Sequence, residues 1–182
     1  MKQILLTMMA AVAICFTGHA QGTKSVEKGK VLVAYYSATG TTKKVAGLLA
    51  TATGGTLHEI QPEKTYTSAD LNWHDKSSRS SKEMADSKSR PAILKNLKNA
   101  DSYDVIYIGF PIWWDEAPRV INTFIESYGF AGKTVIPFAT SGGSSISNSE
   151  KVLKKTYPKL NWQAGKLLNY ATKEDVTKWV NK

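Results

Sequence analysis

Apolar positions along the chain fall into short runs separated by polar stretches rich in glycine and hydroxyl side chains. Val31 to Tyr36 is too short for a buried helix, rich in β-branched and aromatic residues, and apolar on both faces, which predicts a central parallel strand. Asp104 to Phe110 repeats this pattern around Val105, Ile106, Tyr107 and Ile108. Thr134 to Ala139 predicts another strand, with Pro137, which lacks a ladder donor, near its end or at a local irregularity. Thr56 to Ile60 and a segment within Trp162 to Leu168, irregular at Gly165, complete the strands.

Between these runs the apolar period becomes helical. Val45, Ala46, Leu48, Leu49 and Ala52 make one inward face that ends near Gly54 and Gly55. Val120, Ile121, Phe124 and Ile125 make a second, started by Pro118 and stopped by Gly129. Ser147 and Glu150 have capping-box spacing before Val152 and Leu153, and Thr172 and Asp175 cap a last helix whose inward stripe is Val176, Trp179 and Val180. A short helix carrying Ile93, Leu94 and Leu97 is expected from Pro91. Strands alternating with helices predict an α/β domain with a parallel sheet.

Gln61 to Arg90 breaks the alternation. It is polar, mixed in charge and long for a connection, which predicts a structured functional excursion or a mobile lid. Tyr66, Leu71, Trp73 and His74 are its candidates for anchoring the loop or covering a ligand; Trp73 is suited to stack on a planar ring or to pack on its own domain. Asp70, His74 and Asp75 have no spacing that selects a metal. His58 fits a solvent-facing or sheet-bonded role.

Met1 to Ala20 reads differently from the rest: Lys2, an apolar run from Ile4 to Phe16, then small residues. This predicts a secretory signal over residues 1–20, cleaved after Ala20, a linker over 21–29 and one domain over 30–182. The apolar run is short for a transmembrane span, so the mature chain is expected to have no stable membrane span. The location expected is the periplasm, with lipid anchoring at Cys15 disfavoured because Ile14 stands where a small residue is wanted. Cleavage would remove the sole cysteine, excluding thiol chemistry and disulfides from the mature chain. It would also lower the formal charge of +9 by one. Basic residues alternate with acids and no nucleic-acid motif is present, so a solvated surface is the better reading.

Three loops carry candidate chemistry. Ser37, Ala38, Thr39, Gly40, Thr41 and Thr42 join a strand to a helix, and their hydroxyls and helix-starting N–H groups make either a phosphate socket or an ordinary N-cap. GxxxxGK[ST] and GxGxxG are both absent. Pro111, Ile112, Trp113 and Trp114 follow the second strong strand and bring two indoles to the carboxyl edge of the sheet, where open α/β folds place ligands. Thr140, Ser141, Gly142 and Gly143 follow the next strand as a flexible polar loop. Ser144 and Ser145 lack a GxSxG elbow, which argues against serine hydrolysis.

The order SATGTT, GFPIWWDEAP, ATSGGS resembles the flavodoxin family over roughly Lys30 to Leu168, in particular its small, signal-bearing bacterial branch. The resemblance implies a flavodoxin-like three-layer sandwich with a five-stranded parallel sheet of order 2-1-3-4-5 and noncovalent FMN. Ser37 to Thr42 would hold the phosphate, with Lys43 either adding attraction or solvated; Pro111 to Trp114 would border the isoalloxazine, Trp113 in preference to Trp114. Thr140 to Gly143 would approach the other edge. No protein nucleophile and no metal are implied. The chain departs from the acidic balance of familiar electron-carrying flavodoxins, and Ala139 stands where many relatives have cysteine. Three readings follow. One is an electron-transfer flavoprotein serving a redox partner protein or small electron acceptor. Another is an FMN-dependent reductase of a quinone or other small acceptor, walled by the 61–90 excursion. The third is a non-redox flavodoxin-like binding protein.

Overall fold

The computed structural model describes residues 29–181; the expected signal segment and nearly all of the linker lie outside the described residues. Strands β1 (Val31–Tyr35), β2 (Thr56–Glu59), β3 (Val105–Pro111) and β4 (Thr134–Thr140) form a parallel sheet in the order β2-β1-β3-β4. The fifth position is shared by two short strands, β5 (Asn161–Trp162) and β6 (Lys166–Leu167), each parallel to β4. The expected order 2-1-3-4-5 is the observed one, with its last strand split.

Alternation along β1 divides the core. Leu32, Ala34 and Tyr36 pack on one face with Ile106, Ile108, Phe110 and the inward side of α3 (Arg119–Tyr128), joined by Leu153 of α4 (Ser147–Thr156). Val33 and Tyr35 pack on the other with Val45, Ala46 and Leu49 of α1 (Thr41–Thr53) and Val176 of α5 (Lys173–Val180). Helices on both faces keep β1 and β3 dry, which is why their sequences are continuously apolar. Trp179 packs edge-on against Tyr107 at 5.6 Å, a core contact. His58 stacks on Phe124 at 5.8 Å, and burial lowers its pKa. Among the described residues no helix is long and apolar enough to cross a membrane.

Pro137 lies in the middle of β4 rather than near its end. Val135 and Ala139 direct their carbonyls to Gln163 and Leu168, so Pro137, two residues from each, turns its missing donor toward the same edge. There the partner strand is interrupted between β5 and β6, and Gly165 lies so close that a Cβ on it would meet the Pro137 carbonyl at 2.5 Å. The irregularity that proline demands is thus supplied by its neighbour.

Two expectations are corrected. The Pro91–Leu97 stretch is not helical: Ile93 bridges Pro62 in antiparallel fashion, with Glu63 N donating to Ala92 O at 3.0 Å and Leu94 N to Gln61 O at 2.8 Å. Ile93 is buried and Leu94 exposed, an extended alternation that closes the neck of the excursion. The Ser147/Glu150 capping box does not form, because α4 begins without a side-chain cap and the Glu150 carboxylate instead accepts from Gly165 N at 2.6 Å. The Thr172/Asp175 box on α5 does form.

The excursion is structured. It contains α2 (Arg79–Ala85), capped by the Ser78 side chain accepting from Ser81 N, and Asp70 and Asp75 spend their carboxylates on Thr67 and Ser77 within local turns. Two arginines pin it to α3. Arg90 reaches Glu126 at 2.8 Å, and the buried Arg119 donates to Glu83 O at 3.3 Å, Met84 O at 2.9 Å and the Glu116 carboxylate at 2.7 Å. Replacing Arg119 by methionine leaves those acceptors unfilled. We expect Arg119→Met to lower unfolding stability by about 3 kcal/mol in urea titration, with accelerated amide exchange in residues 79–85 and unchanged exchange in β3.

Candidate functional site

The carboxyl ends of β1, β3 and β4 deliver three loops to one edge of the sheet. After β1, Ser37 Oγ accepts from Gly40 N at 3.1 Å, and Gly40 takes a left-handed φ of 89° that other residues adopt with strain. Helix α1 then starts with no side-chain cap and no acidic residue in its first turn. Its leading N–H groups and positive dipole end are left for an anion. The β1 and β4 loops are joined inside the protein, where Thr42 and Thr140 share a buried hydroxyl–hydroxyl hydrogen bond of 2.8 Å.

A cleft of about 260 Å³ lies among these loops. Thr39, Thr41, Pro111, Ile112, Trp113, Thr140, Ser141 and Gly142 line it together with Asn169 and Tyr170, and no lining side chain is charged. Ser37 and Ala38 face an adjoining space of about 310 Å³ that includes Tyr36, Glu59, Glu63 and Tyr66. Trp114 and Gly143 line a wider cavity of about 530 Å³ on the other side. Thr42 is buried behind the cleft, and Gly40 forms the bend at the start of α1. Lys43 turns to Glu59 at 3.2 Å, a partly exposed pair.

Trp113 is fixed from below. It meets Tyr36 edge-on at 5.7 Å and Tyr66 at 5.5 Å, contacts that contribute about 0.5–1.5 kcal/mol each beyond burial. Tyr66 comes from the excursion, where its hydroxyl donates to the Glu83 carboxylate and the Arg79 guanidinium lies 3.9 Å over its ring. Burial first, and the Glu83 carboxylate second, push the Tyr66 phenol well above the ordinary tyrosine value, so it stays protonated. The Tyr36 phenol is raised in the same way, chiefly by burial.

Trp114 is placed by strain. Trp113 N donates to Glu116 O and Glu116 N to Trp113 O, both at 2.9 Å, closing a turn with Trp114 at φ 46° and Asp115 at φ 61°. Two consecutive positive φ values without glycine are unusual. The α4 end holds the turn, Ser149 Oγ donating to Asp115 O at 2.9 Å and Asn148 Nδ2 at 3.3 Å. The Trp114 indole is left 48% exposed.

Three contributions escaped sequence reasoning. Asn169 clamps the β4 loop, its Oδ1 accepting from Ser141 N at 2.8 Å and its Nδ2 donating to Ser141 O at 2.7 Å. Tyr170, at φ 53° and almost fully exposed, closes one side of the cleft. Both follow β6, beyond any loop motif, so only the split of the last strand signals them. The Arg79–Glu83 support for Tyr66 was legible only as i,i+4 spacing in a polar stretch. Ser141 also organises its own loop, its Oγ accepting from Gly143 N and Ser144 N.

The family model described as Flavodoxin matches residues 30–182. A candidate flavoprotein from Bacteroides uniformis is 66% identical, with 85% of this chain and 99% of that one covered at a TM-score of 0.83. Another from Bacteroides eggerthii is 59% identical, covering 84% and 96% at a TM-score of 0.82. A flavoprotein from Lactobacillus acidophilus, solved in complex with FMN, shares the fold at 24% identity, covering 84% and 99% at a TM-score of 0.68. Comparison with curated proteins gives no match.

Asn169→Ala removes both ties to Ser141. The expected result is a stability loss of about 1–2 kcal/mol and faster amide exchange confined to Ser141–Ser144, read by mass spectrometry.

Proposed function

The chain belongs to the flavodoxin family, and on that premise we propose that it binds FMN noncovalently and transfers electrons between a donor and either a partner protein or a small acceptor. The observation that carries this reading is the uncharged cleft itself. A helix start without cap or acid, two threonine hydroxyls, a fixed tryptophan and a glycine-bearing loop meet there. A phosphate dianion is satisfied at such a helix start by N–H groups and hydroxyls, without arginine or lysine. Thr39 and Thr41, with Ser37 shaping the loop, would hold the phosphate; Ile112 and Trp113 would border the ring system, and the Thr140–Gly142 segment would approach it from the opposite side.

Bound FMN supplies the one- and two-electron chemistry. The protein supplies position and a water-poor wall. No carboxylate lines the cleft, so an anionic reduced ring would meet little like-charge repulsion there. Export to the periplasm belongs to the same proposal, supported by Lys2, the apolar run from Ile4 to Phe16 and the small residues ending at Ala20.

The test is reconstitution of the apoprotein with FMN and with riboflavin, followed by absorption and flavin fluorescence. One FMN per chain is expected, with riboflavin much weaker. Thr41→Asp, which sets a carboxylate in the phosphate loop, is expected to weaken FMN by about a hundredfold and riboflavin by far less. A folded apoprotein that takes up no FMN sinks the proposal.

A further inference from the structure

The cavity of about 310 Å³ beside the end of β2 is left unused by the flavin reading. It has no lining residue in common with the narrower cleft or with the wider cavity. It touches the phosphate loop only at Ser37 and Ala38, ahead of the two threonines assigned to the phosphate. We propose that this cavity is a subsite for a ribonucleoside unit, a flat base on a sugar that carries a vicinal diol.

Position selects the sugar. Where the first loop and helix of an open α/β sheet hold a phosphate, a carboxylate about 20 residues on accepts the hydroxyls of the attached ribose. Glu59 is the last residue of β2, in register with Tyr35 at the end of β1, and follows Gly40 by 19 residues. Its Oε2 accepts from Lys43 Nζ at 3.2 Å. A carboxylate has about four acceptor sites, so capacity for a diol remains. Lys43 belongs to the first turn of α1, so a cation stands between the helix start and Glu59. That pairing also disfavours a simple organic cation as the occupant, since the Glu59 charge is already met.

The remaining walls fit the same unit. Glu63 lines the cavity and has no ion pair among the described residues. Both charged lining groups are therefore acceptors, which suits donating hydroxyls and repels a free anion. Gln61 and Thr65 add an amide and a hydroxyl that pair with a base edge. Tyr36 lines the cavity at 3% exposure, and its hydroxyl has no partner among the described residues, an unmet polar group at the wall. Leu94 is left 46% exposed beside Ile60 and Pro62, an apolar surface for a flat ring. The Pro62–Ile93 bridge and the 2.8 Å bond from Leu94 N to Gln61 O hold that surface in place. Two molecules bring a ribonucleoside here. One is FAD, whose FMN half fills the flavin site and whose adenosine half turns into the cavity; the other is a free nucleoside bound beside FMN. The first rests on the flavin reading above, and the second does not.

Two titrations test this. The apoprotein is titrated with FMN and with FAD and followed by flavin fluorescence, and the FMN-loaded protein is titrated with adenosine and with 2′-deoxyadenosine by calorimetry. Saturable adenosine binding is expected, with 2′-deoxyadenosine about tenfold weaker because the missing hydroxyl leaves Glu59 without its donor. FAD about tenfold tighter than FMN makes the unit part of the cofactor; equal affinities make it a separate ligand. Glu59→Gln keeps the side-chain size and breaks only a partly exposed ion pair, so the protein stays folded. It should bring whichever preference the wild type shows to within twofold, with FMN affinity changed less than threefold. Adenosine that fails to saturate together with FAD no tighter than FMN would overturn the subsite and leave the flavin reading intact. A preference that survives Glu59→Gln would overturn it too. Absence of FMN uptake removes the flavin reading alone, and adenosine titrated into the apoprotein then decides the cavity by the same criteria.

Discussion

One buried guanidinium sets the geometry of the wider cavity. Arg119, 4% exposed, donates to the Glu116 carboxylate and to the carbonyls of Glu83 and Met84. A cation taken out of water needs its donors filled, and removing an acceptor is costly. Glu116 closes the turn that carries Trp114, while Glu83 and Met84 belong to the helix of the excursion. The spacing between the turn and the excursion is therefore held by a side chain that touches neither cavity. Glu83 also accepts from Tyr66 and pairs with Arg79, so the same junction reaches Trp113 through the Tyr66 ring. A connection that composition alone marks as loop is, in this fold, part of the site's frame.

The electrostatics of the narrower cleft are those of the backbone. The chain carries a formal +9, yet none of that charge lines the cleft, and Lys43, the basic residue nearest in sequence, is engaged by Glu59. Attraction for an anion comes from oriented N–H groups at the start of α1, which the helix fixes in place. Glu59 and Glu63 stand on the neighbouring space instead. The basic surface and the neutral cleft are separate features.

Much of this was legible because it follows from period and loop chemistry. The continuous apolar runs of β1 and β3 mark strands covered on both faces, and Pro118 and Gly129 mark the ends of α3. The three loops were found because hydroxyls, glycines and tryptophans at strand ends have few structural uses that require all of them. Pro91 to Leu97 misled because three apolar residues over five positions suit a helix turn or an extended bridge, and long-range bonds to Gln61 and Glu63 decided for the bridge. Glu150 misled because its cap role competed with a distant donor, Gly165 N, and lost. Asn169 and Tyr170 were invisible for a related reason: they reach the cleft through the split of the last strand, a tertiary event prepared by Pro137 in a different strand. Local pattern reports local bonds; these contacts are set elsewhere.

The Trp113–Glu116 turn shows how such a site separates stability from use. Left-handed conformations at Trp114 and Asp115 cost about 1–3 kcal/mol each, and a glycine at either position would relieve that cost. The bonds from Ser149 and Asn148 to Asp115 O, with the paired Trp113 and Glu116 backbone bonds, return about 1 kcal/mol apiece. The turn thus stands near balance, and burial of Trp114, half exposed, adds little to it. Trp113 is the opposite case, locked between Tyr36 and Tyr66 and adding to the core. Adjacent tryptophans have been assigned different work: one braces the cleft, and the other is held out, at a conformational cost that packing does not recover, over a cavity wide enough for a flat ring.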